Sequence, residues 1–417
     1  MVAKIDQNLK RDFDWLHDPF LRRVVAAIGV ENIRFVGGVV RDSLLGRRVH
    51  DIDAATTLAP ENITVKLKQV SISVIPTGIS HGTVTAHSKD LDIEITTLRV
   101  DKETDGRHAK VAFTDNWQLD AERRDFTFNA IYVDANGVIY DPCNGIEDLK
   151  TGAVKFIGDP NIRIQEDALR ILRFFRFSAF YGQRDINQDG LKACRDQVRL
   201  IEGLSVERVR DEFLKICNAP NPYGIFVHMF DAAVIGYVLP NGDDLKQTDC
   251  FRRLETLIAC ERLLGISVEP WSRFICFYGV DYANFNALGK AFKLSRKQTD
   301  VLVKACSAHR YFLERIDQAS TIGALCKSVI YRFGYHAFRL IIPHSKQLFD
   351  TFLNDQSLLH DLAAWNIPVF PVSGRDLIAL GMMPGPAISV SLNALEALWV
   401  ESDFLMLKDE LLATVKT

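Results

Sequence analysis

The spacing of hydrophobic and polar residues changes character about a third of the way along the chain. Before that point, short apolar or alternating runs recur at 33–36, 51–55, 73–75, 83–86, 91–98 and 130–133. Such runs are the pattern of strands. Between them, 61–70 carries a helical spacing, and Thr77-Gly78 and Asn136-Gly137 read as turns. Near Asp141 the rhythm shifts. From Gln165 onward the chain reads as helix after helix, rich in Leu, Phe, Arg and Ala, with polar connectors at 218–222 and 240–244. No fixed-period repeat or low-complexity segment interrupts it. The pattern predicts an α/β head with a mixed sheet, followed by an all-α remainder.

Length and composition add bounds. A chain of 417 residues suits two to four packed units, and 47% hydrophobic with 25% charged residues supports cores of ordinary size. Net charge is only −3, but it is unevenly spread. Eleven Lys/Arg against three acids give 290–346 a net of +8, and three against nine give 347–417 a net of −6. The basic zone suits either an anion-binding face or a solvated helical surface. None of the eight cysteines forms a CxxC pair, which argues against a zinc cluster or redox motif and fits a reducing compartment. No signal peptide or membrane span is evident, so a cytoplasmic protein without a membrane partner is expected.

Two features suggest chemistry. An apolar strand, Phe35-Val36, runs into Gly37-Gly38 and then Val39-Val40-Arg41-Asp42. Glycines at a strand–helix junction let backbone N–H groups approach phosphate oxygens. Arg41 could hold a phosphate or simply pair with Asp42. About a dozen residues later, Asp51-Ile52-Asp53 places two carboxylates on one strand face. That pairing is unfavourable unless a cation lies between them, and magnesium takes such ligands together with substrate phosphates. Most isolated DxD pairs are ordinary surface strands; the upstream double glycine distinguishes this one. A third carboxylate, Glu94, alternates with buried positions in Leu91-Asp92-Ile93-Glu94-Ile95 and is the candidate to complete the site.

Gly37-Gly38-Val39-Val40-Arg41-Asp42 followed by Asp51-x-Asp53 resembles the signature of the class II tRNA nucleotidyltransferase and bacterial poly(A) polymerase superfamily. The resemblance continues through Arg123-Arg124-Asp125-Phe126-Thr127-Phe128-Asn129-Ala130, Asp141-Pro142-x-x-Gly145-x-x-Asp148-Leu149, and Arg163-x-x-Glu166-Asp167-x-x-Arg170-x-x-Arg173-x-x-Arg176, in family order. It implies that Gly37, Gly38 and Arg41 approach the nucleotide, and that Arg123, Arg124 and Asp125 lie near its ribose and triphosphate. A salt-bridged helix start is the bland alternative for the arginine pair. The Asp141–Leu149 segment reads as a structured turn. The resemblance also implies Mg2+ as cofactor, with Asp51 and Asp53 as its ligands.

Glu166 to Arg170 reads as the opening of a helix, with Asp167 and Arg170 on one face. The pair suits an intrahelical ion pair, but also base recognition. A carboxylate only accepts and a guanidinium only donates. Cytosine and adenine both present an amino donor beside a ring-nitrogen acceptor. Uracil and guanine present the reverse, which leaves buried groups unpaired at about 1–3 kcal/mol each. The resemblance assigns this role to Asp167 and Arg170, and places Arg173 and Arg176 at the nucleotide as well.

Within the superfamily, Thr77-Gly78-x-x-His81-Gly82-Thr83-Val84-Thr85 is similar to the tRNA-specific form. Asp105-Gly106-Arg107-His108-Ala109-Lys110-Val111 resembles the flexible loop of enzymes that also add A. The implied organisation is a head (1–140), neck (141–222), body (223–330) and tail (331–417). The implied reaction is addition of C, C and A to the 3′ end of tRNA from CTP and ATP. A poly(A) polymerase, an A-only or CC-only enzyme, and a non-catalytic RNA-binding module stay open as alternatives. Oligomeric state is not legible, and a monomer is compatible with the pattern.

Overall fold

A computed structural model describes residues 11–415 apart from 50, 80–81, 105–108, 184 and 281–283. By internal contacts the chain divides into two compact units, Met1–Val238 and Leu239–Thr417.

The first unit opens with α1 (Pro19–Ile28). Asp18 caps it by accepting from Phe20 N at 2.8 Å and Leu21 N at 2.9 Å, and Pro19 pre-sets the first turn. Leu21, Val24, Val25 and Ile28 form its buried stripe. β1 (Ile33–Val36) then leads through Gly37 into α2 (Gly38–Leu44), and β2 (Ile52–Thr56) leads to α3 (Pro60–Gln69). β3 (Ser73–Gly78), β4 (Thr83–His87) and β5 (Asp92–Thr97) follow. β6 (Arg99–Thr104) and β7 (Ala109–Phe113) form a separate antiparallel ribbon. After α4 (Trp117–Glu122) and a 3-10 turn at Thr127–Ala130, β8 (Tyr132–Val133) and β9 (Ile139–Tyr140) close the head.

Among the described residues, seven strands make one mixed sheet in the order β3-β4-β5-β2-β1-β8-β9. Only β2 and β5 pair in parallel; the other neighbours are antiparallel. That one parallel pairing sets Asp53 opposite Glu94. Val36, Ala55, Leu98, Ala121, Ala130, Tyr132 and Ile157 pack as a core beneath this part of the sheet.

Three sequence expectations change. β2 starts at Ile52, so Asp51 precedes the strand rather than opening it. Thr77-Gly78 is the end of β3, where a register shift between Ile75 and Gly78 absorbs the irregularity that reads as a turn. The polar stretch from Asp105 is flanked by a paired ribbon, in which β6 and β7 bond to each other and residues 109–111 are strand, not loop. Residues 105–108 of that stretch, and His81, lie outside the described residues.

Beyond β9 every named element is helical: α5 (Gly145–Thr151), α6 (Pro160–Glu166), α7 (Leu169–Tyr181), α8 (Gln188–Asp196) and α9 (Val206–Cys217) come first. The segment from Asp141 is a turn that docks α5. Asp141 accepts from Gly145 N at 2.7 Å and Ile146 N at 2.9 Å, and Asp148 accepts from Thr127 Oγ1 at 2.7 Å. Gly145 is pressed so close to the 3-10 turn at Thr127–Ala130 that a Cβ there would stand 2.2 Å from the Thr127 carbonyl oxygen.

The second unit is built from helices, including Arg296–Arg315, Ile322–Phe333 and Pro386–Glu401. Ile322–Phe333 runs through position 330 without a break. Val372, Leu377, Leu395, Trp399 and Leu411 form one of its cores. All eight cysteines are described, and no two form a disulfide. Among the described residues no helix is long and apolar enough to cross a membrane.

Candidate active site

β1 ends in a turn that only glycine adopts readily. Gly37 has φ 77° and ψ −129°, and a Cβ built on it would lie 3.8 Å from Asp53 Oδ2. The glycine backbone therefore passes directly beside the carboxylate. Asp53 is half-buried, while Asp51 and Glu94 are exposed. Burial first, and then the negative charge of Glu94, push the Asp53 carboxyl up to about 6; Asp51 adds to this, and Arg124 and Arg41 oppose it. The strand pairing thus adds negative charge beside a carboxyl whose ionisation burial already disfavours. Among the described residues the carboxylates do not converge into a preformed three-ligand metal centre. The donor set instead fits an ion held by a carboxylate pair and completed by substrate phosphates, the habit of magnesium.

A cavity of about 600 Å³ opens in front of Asp51 and Asp53, and Arg41, Arg124, Arg173 and Arg176 wall it. Each arginine is anchored. Arg41 donates to Asn129 Oδ1 at 2.8 Å and to Asp42 Oδ1 at 3.1 Å. Asn129 donates to Asp125 Oδ1 at 2.9 Å, and Arg173 donates to Asp125 Oδ2 at 2.6 Å. One buried chain of hydrogen bonds thereby joins α2 to α7. Arg123 and Arg124 both reach the buried Asp120, at 2.7 and 3.2 Å. Burial opposes ionisation of Asp120, yet these two guanidinium groups hold its carboxyl below the usual range. Arg124 lines the cavity and Arg123 does not. Arg176 donates to Glu212 Oε1 on α9 at 3.0 Å.

Asp167 and Arg170 are organised differently from the sequence expectation. Glu166 closes α6, Asp167 is extended (φ −152°, ψ 104°), and α7 begins at Leu169, so the acids do not sit in the first turn of one helix. Asp167 pairs with Arg208 at 2.9 Å. Arg170 pairs with Glu166 at 2.5 Å and donates to the Arg123 carbonyl at 2.9 Å. The anticipated Asp167–Arg170 ion pair is therefore replaced by two others, because the chain breaks helix between them. Neither residue lines the cavity described above.

Sequence reasoning missed several wall residues: Asn129, Phe177, Phe180, Tyr181 and Lys215. Phe177 and Phe180 were findable, since each lies four residues beyond Arg173 or Arg176 on one helix face. Tyr181 donates to Asp42 at 2.8 Å and lies under the guanidinium of Arg41, 4.4 Å from its ring centre. Nothing in the local sequence pointed to Lys215, which arrives on α9.

The buried Asp125 gives a test of the scaffold. Burial raises the cost of its charge, but Arg173 and Asn129 more than compensate and hold its carboxyl below the usual range. Asp125→Asn leaves the mostly buried Arg173 charge without its partner and is expected to lower stability at pH 7 by about 3 kcal/mol. A carboxyl depressed on folding stabilises fully above its unfolded value, near 4, and loses that contribution as pH falls further. The deficit of the variant should accordingly shrink between pH 7 and pH 3.5 in denaturant titrations.

A glycine turn beside a DxD pair at the start of a strand, facing an arginine-walled cavity lined by the mixed sheet and by helices, defines a nucleotidyltransferase head. Residues 33–155 match the family described as Poly A polymerase head domain, and 185–245 match the one described as Probable RNA and SrmB- binding site of polymerase A. The mitochondrial CCA tRNA nucleotidyltransferase 1 of Danio rerio is 34% identical over 389 residues, covering 92% of this chain and 86% of that protein. The CCA-adding enzyme of Lactobacillus helveticus is 30% identical over 403 residues, covering 93% and 95%. The crystal structure of the Bacillus stearothermophilus CCA-adding enzyme in complex with CTP superimposes with a TM-score of 0.72 at 25% identity, covering 93% and 94%. The chain belongs to the CCA-adding tRNA nucleotidyltransferase family. Enzymes of this kind work with divalent metal ions.

Proposed function

We propose that this chain builds the CCA end of tRNA, transferring two C residues from CTP and one A from ATP to the 3′-hydroxyl and releasing pyrophosphate. The observation that carries the reading is Asp53, in register with Glu94 and beside the Gly37 turn, lining the arginine-walled cavity together with Asp51. Asp51 and Asp53 would hold Mg2+, with Glu94 as the third carboxylate at its side. When bound, the ion supplies Lewis-acid charge at the reacting phosphates. The backbone of Gly37 and Gly38 and the guanidinium groups of Arg41 and Arg124 take the triphosphate. Arg123 acts from behind through Asp120, and Asp125 fixes Arg173, which with Arg176 faces the nucleotide. Asp167 and Arg170 read the base.

We assign the head to 1–140, the neck to 141–222, the body to 223–330 and the tail to 331–417, with tRNA held by body and tail. Lys290, Lys293, Arg296, Lys297, Lys304 and Arg310 are exposed and suit its phosphates. Eight cysteines without a disulfide suit a reducing compartment such as the cytoplasm.

The reading is tested with tRNAs ending before, within and after CCA, each incubated with single nucleotides and with both CTP and ATP. Products that stop at CCA are expected at single-nucleotide resolution. Long A tails on tRNA and on random RNA alike would instead make the chain a poly(A) polymerase. Extension restricted to tRNA already ending in CC would make it an A-only enzyme.

A further inference from the structure

Asp53 has two flanks in the sheet, since β2 is bordered by β1 on one side and by β5 on the other. The cations lie on the first flank. β1 leads to Gly37 and Arg41, and the residues ahead of β8 supply Arg124 and Asn129, all of which line the cavity. Among the described residues, none from β3, β4 or β5 lines it.

The second flank is built from another kind of side chain. Register sets Asp53 opposite Glu94 on β5, and Glu94 opposite Thr85 on β4. Side chains in register on neighbouring strands share a face at about 5 Å spacing, so Thr85 stands one strand from Glu94 and two from Asp53. On the same face Thr96 lies two residues beyond Glu94, opposite Thr83. Thr77, from the irregular end of β3, joins them. Its Oγ1 lies 2.9 Å from Thr85 Oγ1, and Thr83 Oγ1 lies 3.0 Å from Thr96 Oγ1. Thr77 is exposed, Thr83 and Thr96 are half-buried, and Thr85 is buried. Two paired hydroxyls carry two hydrogens and spend one on each other, so each pair keeps one donor and free lone pairs. The alternate positions 73, 75 and 77 of β3, 83, 85 and 87 of β4, and 92, 94 and 96 of β5 hold no Lys or Arg.

Such a division suits in-line transfer. The attacking 3′-oxygen and the departing pyrophosphate stand on opposite sides of the α-phosphorus. Cations belong on the triphosphate side. On the side of the nucleophile, an arginine would pair with Glu94 or Asp53 and compete with the ion they hold. A threonine hydroxyl binds without charge. The group next to the attacking oxygen is itself a hydroxyl, on C2′ of the same ribose.

We propose that the pairs Thr77–Thr85 and Thr83–Thr96 form an uncharged seat for the 3′-terminal ribose of the tRNA, in which Thr77 bonds the 2′-hydroxyl and Thr85 orients Thr77. The proposal rests on the reading of Asp53 and Glu94 as the carboxylates beside the reacting 3′-hydroxyl. The incoming nucleotide is held on the other flank, so contacts to tRNA and to nucleotide are separable. Cross-strand threonine pairs also stabilise sheets on their own account. In that case a terminal ribose and a terminal 2′-deoxyribose would be treated alike.

The experiment uses the full chain with CTP and two tRNAs ending before CCA, identical except that the last nucleotide carries ribose or 2′-deoxyribose. Single-turnover C addition is measured on the parent, Thr77→Val, Thr85→Val and Thr77→Ser, beside thermal melting of each. The parent should prefer the ribose-ended tRNA by about fivefold, the scale of one net hydrogen bond. Thr77→Val should lose that preference through a slower reaction of the ribose-ended tRNA alone, with half-saturation by CTP and melting temperature unchanged. Thr85→Val should lose part of it, and Thr77→Ser, which keeps the hydroxyl, should retain it. Equal losses on both tRNAs, or a preference intact in Thr77→Val, overturn the proposal and leave the pairs as sheet stabilisers. A parent indifferent to the 2′-hydroxyl overturns it as well. A parent that adds C to neither tRNA overturns the reading of CCA synthesis beneath it.

Discussion

Asp53→Ala and Asp51→Ala are each expected to abolish addition of C and of A alike while tRNA binding survives. Both side chains line the arginine-walled cavity, and Asp53 sits beside the Gly37 turn and is aligned with Glu94. Removing either leaves too few carboxylates to hold a divalent ion against the phosphates. Loss of one preorganised electrostatic group at a reacting centre commonly costs about 10²–10³ in rate, and the loss here should be at least of that order. Rates of CTP and ATP incorporation under single-turnover conditions, with filter binding of tRNA on the same preparations, check it. Under the proposed role these residues serve both nucleotides through the same phosphates, so a variant that loses only C or only A would contradict the assignment.

Asp167→Ala and Arg170→Ala are expected to act on choice rather than on chemistry. Each should lower efficiency with CTP and ATP and raise misincorporation of UTP or GTP relative to the correct nucleotides. An unpaired buried polar group costs about 1–3 kcal/mol, so discrimination should fall by about 5- to 150-fold. The two variants should differ in folding. Arg170 also bonds Glu166 and the Arg123 carbonyl, so Arg170→Ala should melt lower, whereas Asp167→Ala should melt close to the parent. Four-nucleotide kinetics beside thermal melting separate the two effects; intact selectivity with lowered melting would reduce the pair to scaffolding.

Much of the head was legible because its signals are local. The strand–glycine–helix junction at Phe35–Gly38 and the alternation around Asp53 and Glu94 depend on neighbours a few residues away. Their pairing needed the structure, since the parallel register of β2 with β5 joins segments about 40 residues apart. The ribbon of β6 and β7 was missed for the opposite reason: it is stabilised by mutual backbone bonds and carries no strong apolar alternation. The local geometry of Asp167 and Arg170 was misread because a three-residue spacing implies a shared helix face only where helix is continuous, and Asp167 interrupts it. Arg208, Lys215 and Glu212 were invisible, because α9 meets α7 only after the chain has turned back through α8.

Two short contacts between residues before β8 and the helices after β9 have a further consequence. Gly145 lies against the Thr127 carbonyl, and Arg170 is tied to the Arg123 carbonyl. Under the proposed assignment, the span from the base-reading side chains to Asp53 is then a ruler fixed at both ends. A nucleotide whose base seats too shallow carries its α-phosphate past the carboxylates and fails by reach, even where its hydrogen bonds are satisfied. Accepting both a small pyrimidine and a larger purine on one ruler therefore demands that the difference in length be taken up by the sugar and triphosphate. Enlarging position 145 by a single methyl group would reset the scale for both.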